Sequence, residues 1–232
     1  MCERYALTSF SEDIGRSLAS SDRIDMRRGN VAPLQFAPAL RLDGAGSRRL
    51  SLLRWGLVPS WAPDLSFGAI CTNARAETIT TRPAFRHAVR RRRCLVPADA
   101  YYEWKVVKGR VQLHRVESAA GSPFTFAGLW ESWQSPEGQT TETFALVTVA
   151  PSAVHIRDGQ PVIIEARDHN LWLDPSPTQF DRQLRLLRPL AAGRLKATPV
   201  ERVREDRDDH APLNGTGVDR AAVDQPTVHR AA

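Results

Sequence analysis

Apolar residues fall in short runs of strand length along most of the chain: Leu50 to Leu57, Arg93 to Val96, Tyr101 to Val107, Val111 to Val116, Phe124 to Leu129, Phe144 to Val149 and Val162 to Ile164. Runs this short, bounded by polar and turn residues, predict strands rather than helices. The pair Tyr101 to Val107 and Val111 to Val116, joined by Lys108-Gly109-Arg110, predicts a β-hairpin. Helical spacing is confined to Leu171 to Leu173 and Thr178 to Leu190, where Phe180, Leu184, Leu187 and Leu190 share one side. The Ser11-Glu12-Asp13 run adds a helix start, for a helix over about 10–20. Many strands with few helices predict a β-rich α+β fold. From Glu205 onward apolar residues almost vanish, so residues 1–205 are expected to form one domain and 206–232 a polar, flexible tail.

With 42% hydrophobic and 25% charged residues the chain has the composition of a soluble globular protein. No apolar run approaches the roughly 18 residues of a membrane span, and MCERYALTSF lacks the apolar stretch of a signal peptide. The expected location is the cytoplasm, in association with the nucleoid. Lys and Arg number 32 against 26 Asp and Glu, a net charge of +6, and the basic side is almost entirely arginine. Arginine forks onto phosphate and stacks on bases, which favours a polyanionic partner, although a GC-rich genome produces the same bias. The three cysteines, Cys2, Cys71 and Cys94, are widely spaced and form no C-x-x-C pair, so neither a disulfide framework nor a metal site is expected, and no cofactor. Cys71 and Cys94 sit among apolar neighbours and read as buried, inert thiols.

Cys2 differs from both because it directly follows Met1. Aminopeptidases remove an initiator methionine when the next side chain is small, and removal here leaves an α-amine and a thiol on adjacent carbons. Such a 1,2-aminothiol traps aldehydes: the amine condenses to an imine, and the sulfur closes a five-membered thiazolidine. An α-amine titrates at about 7.7–8.0 and a free thiol near about 8.5, so both nucleophilic forms are accessible near neutrality.

Several stretches are dense in unusual residues: G-N-V-A-P at 29–33, R-W-G-L-V-P-S-W-A at 54–62, N-A-R-A-E-T at 73–78, P-A-F-R at 83–86, R-R-C-L-V-P-A-D-A-Y-Y-E-W-K at 92–105 and A-G-L-W-E at 127–131. Together with Met1-Cys2 they make the chain resemble the SRAP family (SOS response-associated peptidase domain), the abasic-site processing proteins. The resemblance spans residues 1–205 and rests on the combination of motifs. It implies a barrel-like β core with flanking helices, and a basic cleft for single-stranded DNA or a single-strand/duplex junction containing an abasic site. It also implies a monomer that crosslinks covalently to the ring-opened sugar through Cys2, with associated lyase and autoproteolytic activity.

Residue by residue, Cys2 matches the nucleophile and Asn73 the asparagine that positions cysteine and sugar. An amide both donates and accepts and stays neutral throughout; by itself, however, Asn73 also fits a turn or cap residue. Glu103, in Tyr-Tyr-Glu-Trp-Lys, matches the acid/base glutamate; alternation puts it on the opposite strand face from Tyr102 and Trp104. An exposed carboxylate paired with Lys105 or an arginine is the competing reading. For DNA contact the matching positions are Arg4, Asn30, Pro33, Trp55, Arg75 and Arg86, with arginines for phosphate and Trp55 in the segment that presents apolar surface to the strand. Trp61, Trp104 and Trp130 read as core residues. Arg90 to Arg93 fit either a solvated face or a phosphate contact.

Two departures stand out. The family pattern His-x-Arg-Met-Pro is replaced by H-I-R-D-G-Q-P at 155–161. Aligned without a gap from Pro161, Arg157 takes the histidine's place; with two extra loop residues His155 does, and His155 is the favoured counterpart. A histidine there donates a proton near neutrality, whereas guanidinium does not. Glu3 stands where the family has glycine, and its carboxylate favours the ammonium form of the neighbouring amine. Two other readings remain beside covalent capture: a cysteine peptidase or amidohydrolase using Cys2, His155 and Glu103, and a degenerate relative that binds DNA non-covalently.

Overall fold

The structure is a computed structural model that describes residues 2–8, 27–150, 159–191 and 193–203. The helix expected over 10–20 and the tail expected over 206–232 lie outside the described residues. In chain order the strands are β1 (Tyr5–Leu7), β2 (Arg28–Val31), β3 (Phe36–Leu42), β4 (Arg48–Trp55), β5 (Asn73–Arg75), β6 (Arg93–Ala98) and β7 (Ala100–Val107). They continue with β8 (Arg110–Ser118), β9 (Phe124–Gln134), β10 (Thr140–Val149), β11 (Gln160–Pro161), β12 (Ile163–Ile164) and β13 (Leu195–Pro199). Short helices α1 (Ala88–Arg91), α2 (His169–Leu173) and α3 (Phe180–Leu184) flank them, and no described helix is long and apolar enough to cross a membrane.

The β-rich expectation holds, and the sheet closes on itself. Strands β4, β3, β6, β9 and β10 pair antiparallel in that order, and β10 then pairs parallel with β4, so the ring has no free edge. A second, five-stranded sheet runs β13-β8-β7-β1-β2. The inward residues alternate as strand periodicity demands and fill the barrel with aromatic rings. Trp55 stacks on Phe144 at 6.2 Å between centroids, while Tyr5 lies 5.4 Å from Trp55 and 5.8 Å from Phe126. At Gly128 a Cβ would meet Cys94 Sγ at 2.7 Å, so only glycine lets β9 pass β6 there. Cys71 and Cys94 are both buried, with burial pushing both thiols up, as inert core cysteines should be.

The hairpin forms with a tighter loop than expected: Arg110 pairs with Val107, and Lys108 and Gly109 alone make the turn, both at positive φ (49° and 76°). The helix expected over 178–190 is a correction. It is a 3-10 turn at Pro177–Gln179 followed by the single short helix α3, after which i to i+3 bonds from Leu186 to Gln183 and from Leu187 to Leu184 tighten the chain. Pro189 disfavours helical backbone at Arg188, while Phe180, Leu184, Leu187 and Leu190 still pack against the core.

The arginine run divides by role. Arg93 is buried and donates to the carbonyls of Val89 and Trp172, both at 2.6 Å, and of Asp174, tying α1 and the α2 end to β6. Arg92 pairs with Glu131, Arg90 lies 4.6 Å over the Phe180 ring, and Arg91 is exposed.

Candidate functional site around Cys2

The N-terminal segment enters along β7. Tyr5 and Ala6 pair with Tyr101 and Ala100, and the Tyr102 N–H donates to the Arg4 carbonyl at 3.0 Å, which leads the chain back toward Glu103 and leaves Cys2 buried at 2% exposure. On the other side stands Asn73, the first residue of β5, held in register with Leu146 of β10. Its Nδ2 donates to the Cys2 carbonyl at 2.9 Å and to Thr72 Oγ1 at 3.1 Å. The Thr72 carbonyl is itself fixed, accepting from Trp55 Nε1 at 2.8 Å and from the Leu146 N–H at 3.0 Å. The amide that grips Cys2 is therefore braced by the barrel wall.

Glu103 contributes the negative charge. Its Oε1 pairs with Lys105 Nζ at 2.9 Å, but its Oε2 is buried and has no hydrogen-bond partner among the described residues, and the same is true of Asn73 Oδ1. Buried polar atoms are nearly always satisfied, so two unpaired acceptors beside one cysteine mark hydrogen-bonding capacity that the fold itself does not use. Burial pushes the Cys2 thiol up to about 12; the carboxylates of Glu103 and Glu3 add to the rise, and the positive amino terminus opposes it. Burial also raises the Tyr101 phenol, helped by Glu103 and Cys2. Cys2 is thus a neutral thiol near neutrality, and its nucleophilic form requires a base.

The remaining expected residues are distributed unevenly. Arg4 is exposed and donates from Nη1 to Asn30 Oδ1 at 3.0 Å, so these two form one unit next to Cys2. Arg75 is exposed at the end of β5, two residues beyond Asn73. Pro33 is half-buried in the turn that places Leu34 at φ 71°, and Arg86 is exposed in the turn leading into α1. His155 and Arg157 both lie outside the described residues.

Trp55 is a correction: it is fully buried, its ring stacked inside the barrel, and it offers no surface to a strand. Its contribution is to brace Thr72 behind Asn73. The exposed aromatic of that segment is Trp61, at 55% exposure and packed edge-on against Phe67 at 5.2 Å, which corrects the core assignment of Trp61. Trp104, expected in the core, is also exposed, at 52%, whereas Trp130 is partly buried against the core between Arg41 and Arg92. Sequence reasoning missed the exposed apolar residues Leu34 and Ile70 and the bracing role of Thr72. Strand parity could have found the first error, since Trp55 shares the inward face of β4 with Leu53.

A closed barrel whose adjoining N-terminal segment buries a cysteine between a braced asparagine and a half-satisfied glutamate makes this a barrel-type β protein with a candidate site at its N-terminal cysteine. A family model for the SOS response associated peptidase (SRAP) matches residues 1–204, and the chain belongs to that family. It is similar to the abasic site processing protein YoqW of Bacillus subtilis (strain 168), 34% identical over 219 residues covering 91% of this chain and 97% of that protein. The abasic site processing protein YoaM of the same organism is 38% identical over 214 residues, 86% of this chain and 91% of that one. The abasic site processing protein HMCES of Mus musculus is 27% identical over 247 residues, 82% of this chain and 69% of its own. Among solved structures, a phage-related protein from Bordetella bronchiseptica superposes with a TM-score of 0.70 at 27% identity, covering 87% of this chain and 95% of that one. A protein from Bacteroides thetaiotaomicron shares the fold at a TM-score of 0.72 and 20% identity, over 89% and 93% of the two chains.

Proposed function

We propose that this protein processes abasic sites in single-stranded DNA, capturing the ring-opened sugar in a thiazolidine with Cys2 after loss of Met1. The observation that carries the reading is the grip of Asn73 on the Cys2 carbonyl beside a glutamate whose inner oxygen is unpaired. The names of the bacterial and mammalian relatives support the same substrate. In this chemistry the free α-amine of Cys2 adds to the sugar aldehyde, water leaves, and an imine forms. The thiol then adds across the C=N bond, its sulfur to carbon and its proton by way of a base to nitrogen. Glu103 is assigned to move these protons, and Asn73 to hold the Cys2 backbone while offering Oδ1 to a sugar hydroxyl. A thiol held up to about 12 favours this order, amine first and sulfur second, over direct thiolate attack on a peptide amide. Arg4, Arg75 and Arg86 are assigned to phosphate, and Trp61, Leu34 and Ile70 supply apolar surface for unstacked bases. His155 is assigned as the proton donor to the sugar or leaving phosphate, which would couple capture to strand cleavage by β-elimination.

The test has two parts. Intact mass of the purified protein is expected to be one methionine short. Incubation with single-stranded DNA carrying one abasic site is then expected to give a denaturation-resistant adduct that is lost in Cys2→Ala. An equal yield of adduct from Cys2→Ala would remove the proposal, and salt-sensitive binding without any adduct would favour a non-covalent DNA binder.

A further inference from the structure

The β7–β8 hairpin puts His114 directly across from Glu103. Residues directly opposite in an antiparallel pair project to the same face, with Cβ atoms about 4.5–5.5 Å apart, so imidazole and carboxyl share one face, although no hydrogen bond or ion pair joins them. His114 is buried, at 7% exposure, and its Nδ1 lies 3.2 Å from the Gln112 carbonyl. A carbonyl only accepts, so Nδ1 carries the proton in that contact, and the neutral ring keeps its lone pair on Nε2.

The other groups on this face are few. Strand β7 brings Tyr101 and Lys105, and β8 brings Gln112, Val116 and, at the hairpin end, the charge of Arg110. Strand β13, paired on the far side of β8, turns Leu195, Ala197 and Pro199 to it and adds no charge. The N-terminal segment brings Cys2, whose thiol feels the charges of both Glu103 and the exposed Glu3. Arg115 and Glu117 pair with each other on the opposite face at 3.2 Å. Lys105 occupies Glu103 Oε1, which leaves Oε2 unpaired, and His114 is the one imidazole on this face of the hairpin among the described residues.

We propose that His114 is a positioning residue for Glu103 that holds the proton Glu103 exchanges between steps. The proposal rests on the abasic-site reading, because that reaction asks one carboxyl both to accept a proton, from the amine or thiol, and to deliver one, to the departing hydroxyl. After Glu103 accepts, a side-chain rotation that brings Oε2 to His114 Nε2 lets the proton pass, leaving carboxylate and imidazolium; it returns when the carboxylic acid is next required, with no net gain or loss. A buried histidine satisfied by the Gln112 carbonyl alone would have no such effect.

The experiment measures single-turnover adduct formation with abasic single-stranded DNA across about pH 5–8, the range in which histidine titrates. Proteins are the wild type, His114→Gln, Glu103→Gln and the double variant. Glutamine keeps a polar side chain but does not titrate. His114→Gln is expected to melt near the wild type and reach the same final yield, with a rate about tenfold lower near neutrality and one inflection missing from the pH profile. The double variant is expected to be no slower than Glu103→Gln, as for residues acting through one another. An unchanged profile in His114→Gln, a rate loss that only tracks lost stability, or losses that add in the double variant would each overturn the proposal. If the wild type forms no adduct, the functional reading fails and the pair is judged by NMR. The His114 imidazole titration in Cys2→Ala protein is expected to shift when Glu103→Gln is added, and an unshifted titration overturns the coupling.

Discussion

At the scale of single residues, Asn73 links fold and chemistry. Its Nδ2 holds the Cys2 carbonyl at 2.9 Å, and Asn73→Ala leaves that carbonyl without the bond, a loss of about 1–3 kcal/mol for a buried polar group. At about 1.4 kcal/mol per tenfold change in rate, adduct formation is expected to slow roughly tenfold to a hundredfold in a quenched time course. A rate within twofold of wild type would show that the bond is merely structural. The buried thiol makes a second prediction. The folded state holds the Cys2 proton up to about 12 against an ordinary 9.0, so its contribution to stability is complete below about 9.0 and is lost as pH rises from there toward about 12. The raised Cys94 and Tyr101 groups act with the same sign. The melting temperature should therefore stay level from about pH 7 to 9 and fall above it, with a shallower fall in Cys2→Ala. Cys2, Asn73 and Glu103 were legible because each sits in a short motif with a chemical reason for its residue type. Trp55 was misassigned because a motif says which residues occur together, while only strand parity says which way each one points.

At the scale of elements, the β7–β8 hairpin is the best case of legibility. Its apolar runs announced both strands, and its loop was one residue too long because Arg110, polar and exposed, pairs with Val107 rather than joining the turn. A two-residue turn with both φ values positive suits Asn-Gly, and Lys108 at φ 49° sits there at a steric cost. Lys108→Asn is expected to stabilise the protein by about 0.5 kcal/mol and Gly109→Val to destabilise it by about 1 kcal/mol or more, both read as shifts in the thermal midpoint; the opposite order would mean the turn does not limit stability. The strands the sequence hid share one property, that their pairing partners lie far away along the chain. Strand β13, Leu-Lys-Ala-Thr-Pro, is mostly exposed and is kept in place by backbone pairing to Ser118 through His114 of β8. Strand β1 is three residues long in a polar context, yet fully buried, because β2 and β7 enclose it from both sides. Neither pairing is written in local periodicity.

At the scale of the whole molecule, the net charge of +6 overstates how many arginines a polyanion can use. Arg41 pairs with Glu142, Arg92 with Glu131, Arg115 with Glu117 and Arg167 with Glu165, while Arg93 is spent on backbone carbonyls inside the fold. Arg75 and Arg86 are exposed and pair with no carboxylate among the described residues, and Arg4 meets only the neutral amide of Asn30. On the proposed function, counterion release makes salt-dependent DNA binding an expectation for these three and not for the paired set. With Cys2→Ala protein and undamaged single-stranded DNA, each of Arg4→Ala, Arg75→Ala and Arg86→Ala is expected to weaken binding and to lower the slope of log K against log salt by about 0.7, the value for one phosphate on a single strand. Arg167→Ala should leave the slope unchanged, because its charge is already balanced by Asp168 and by Glu165, which it shares with Arg194. The comparison is decisive because all four variants remove the same charge from the molecule: equal slope losses would make the binding a property of net charge, whereas a split between the sets locates the strand along Arg4, Arg75 and Arg86.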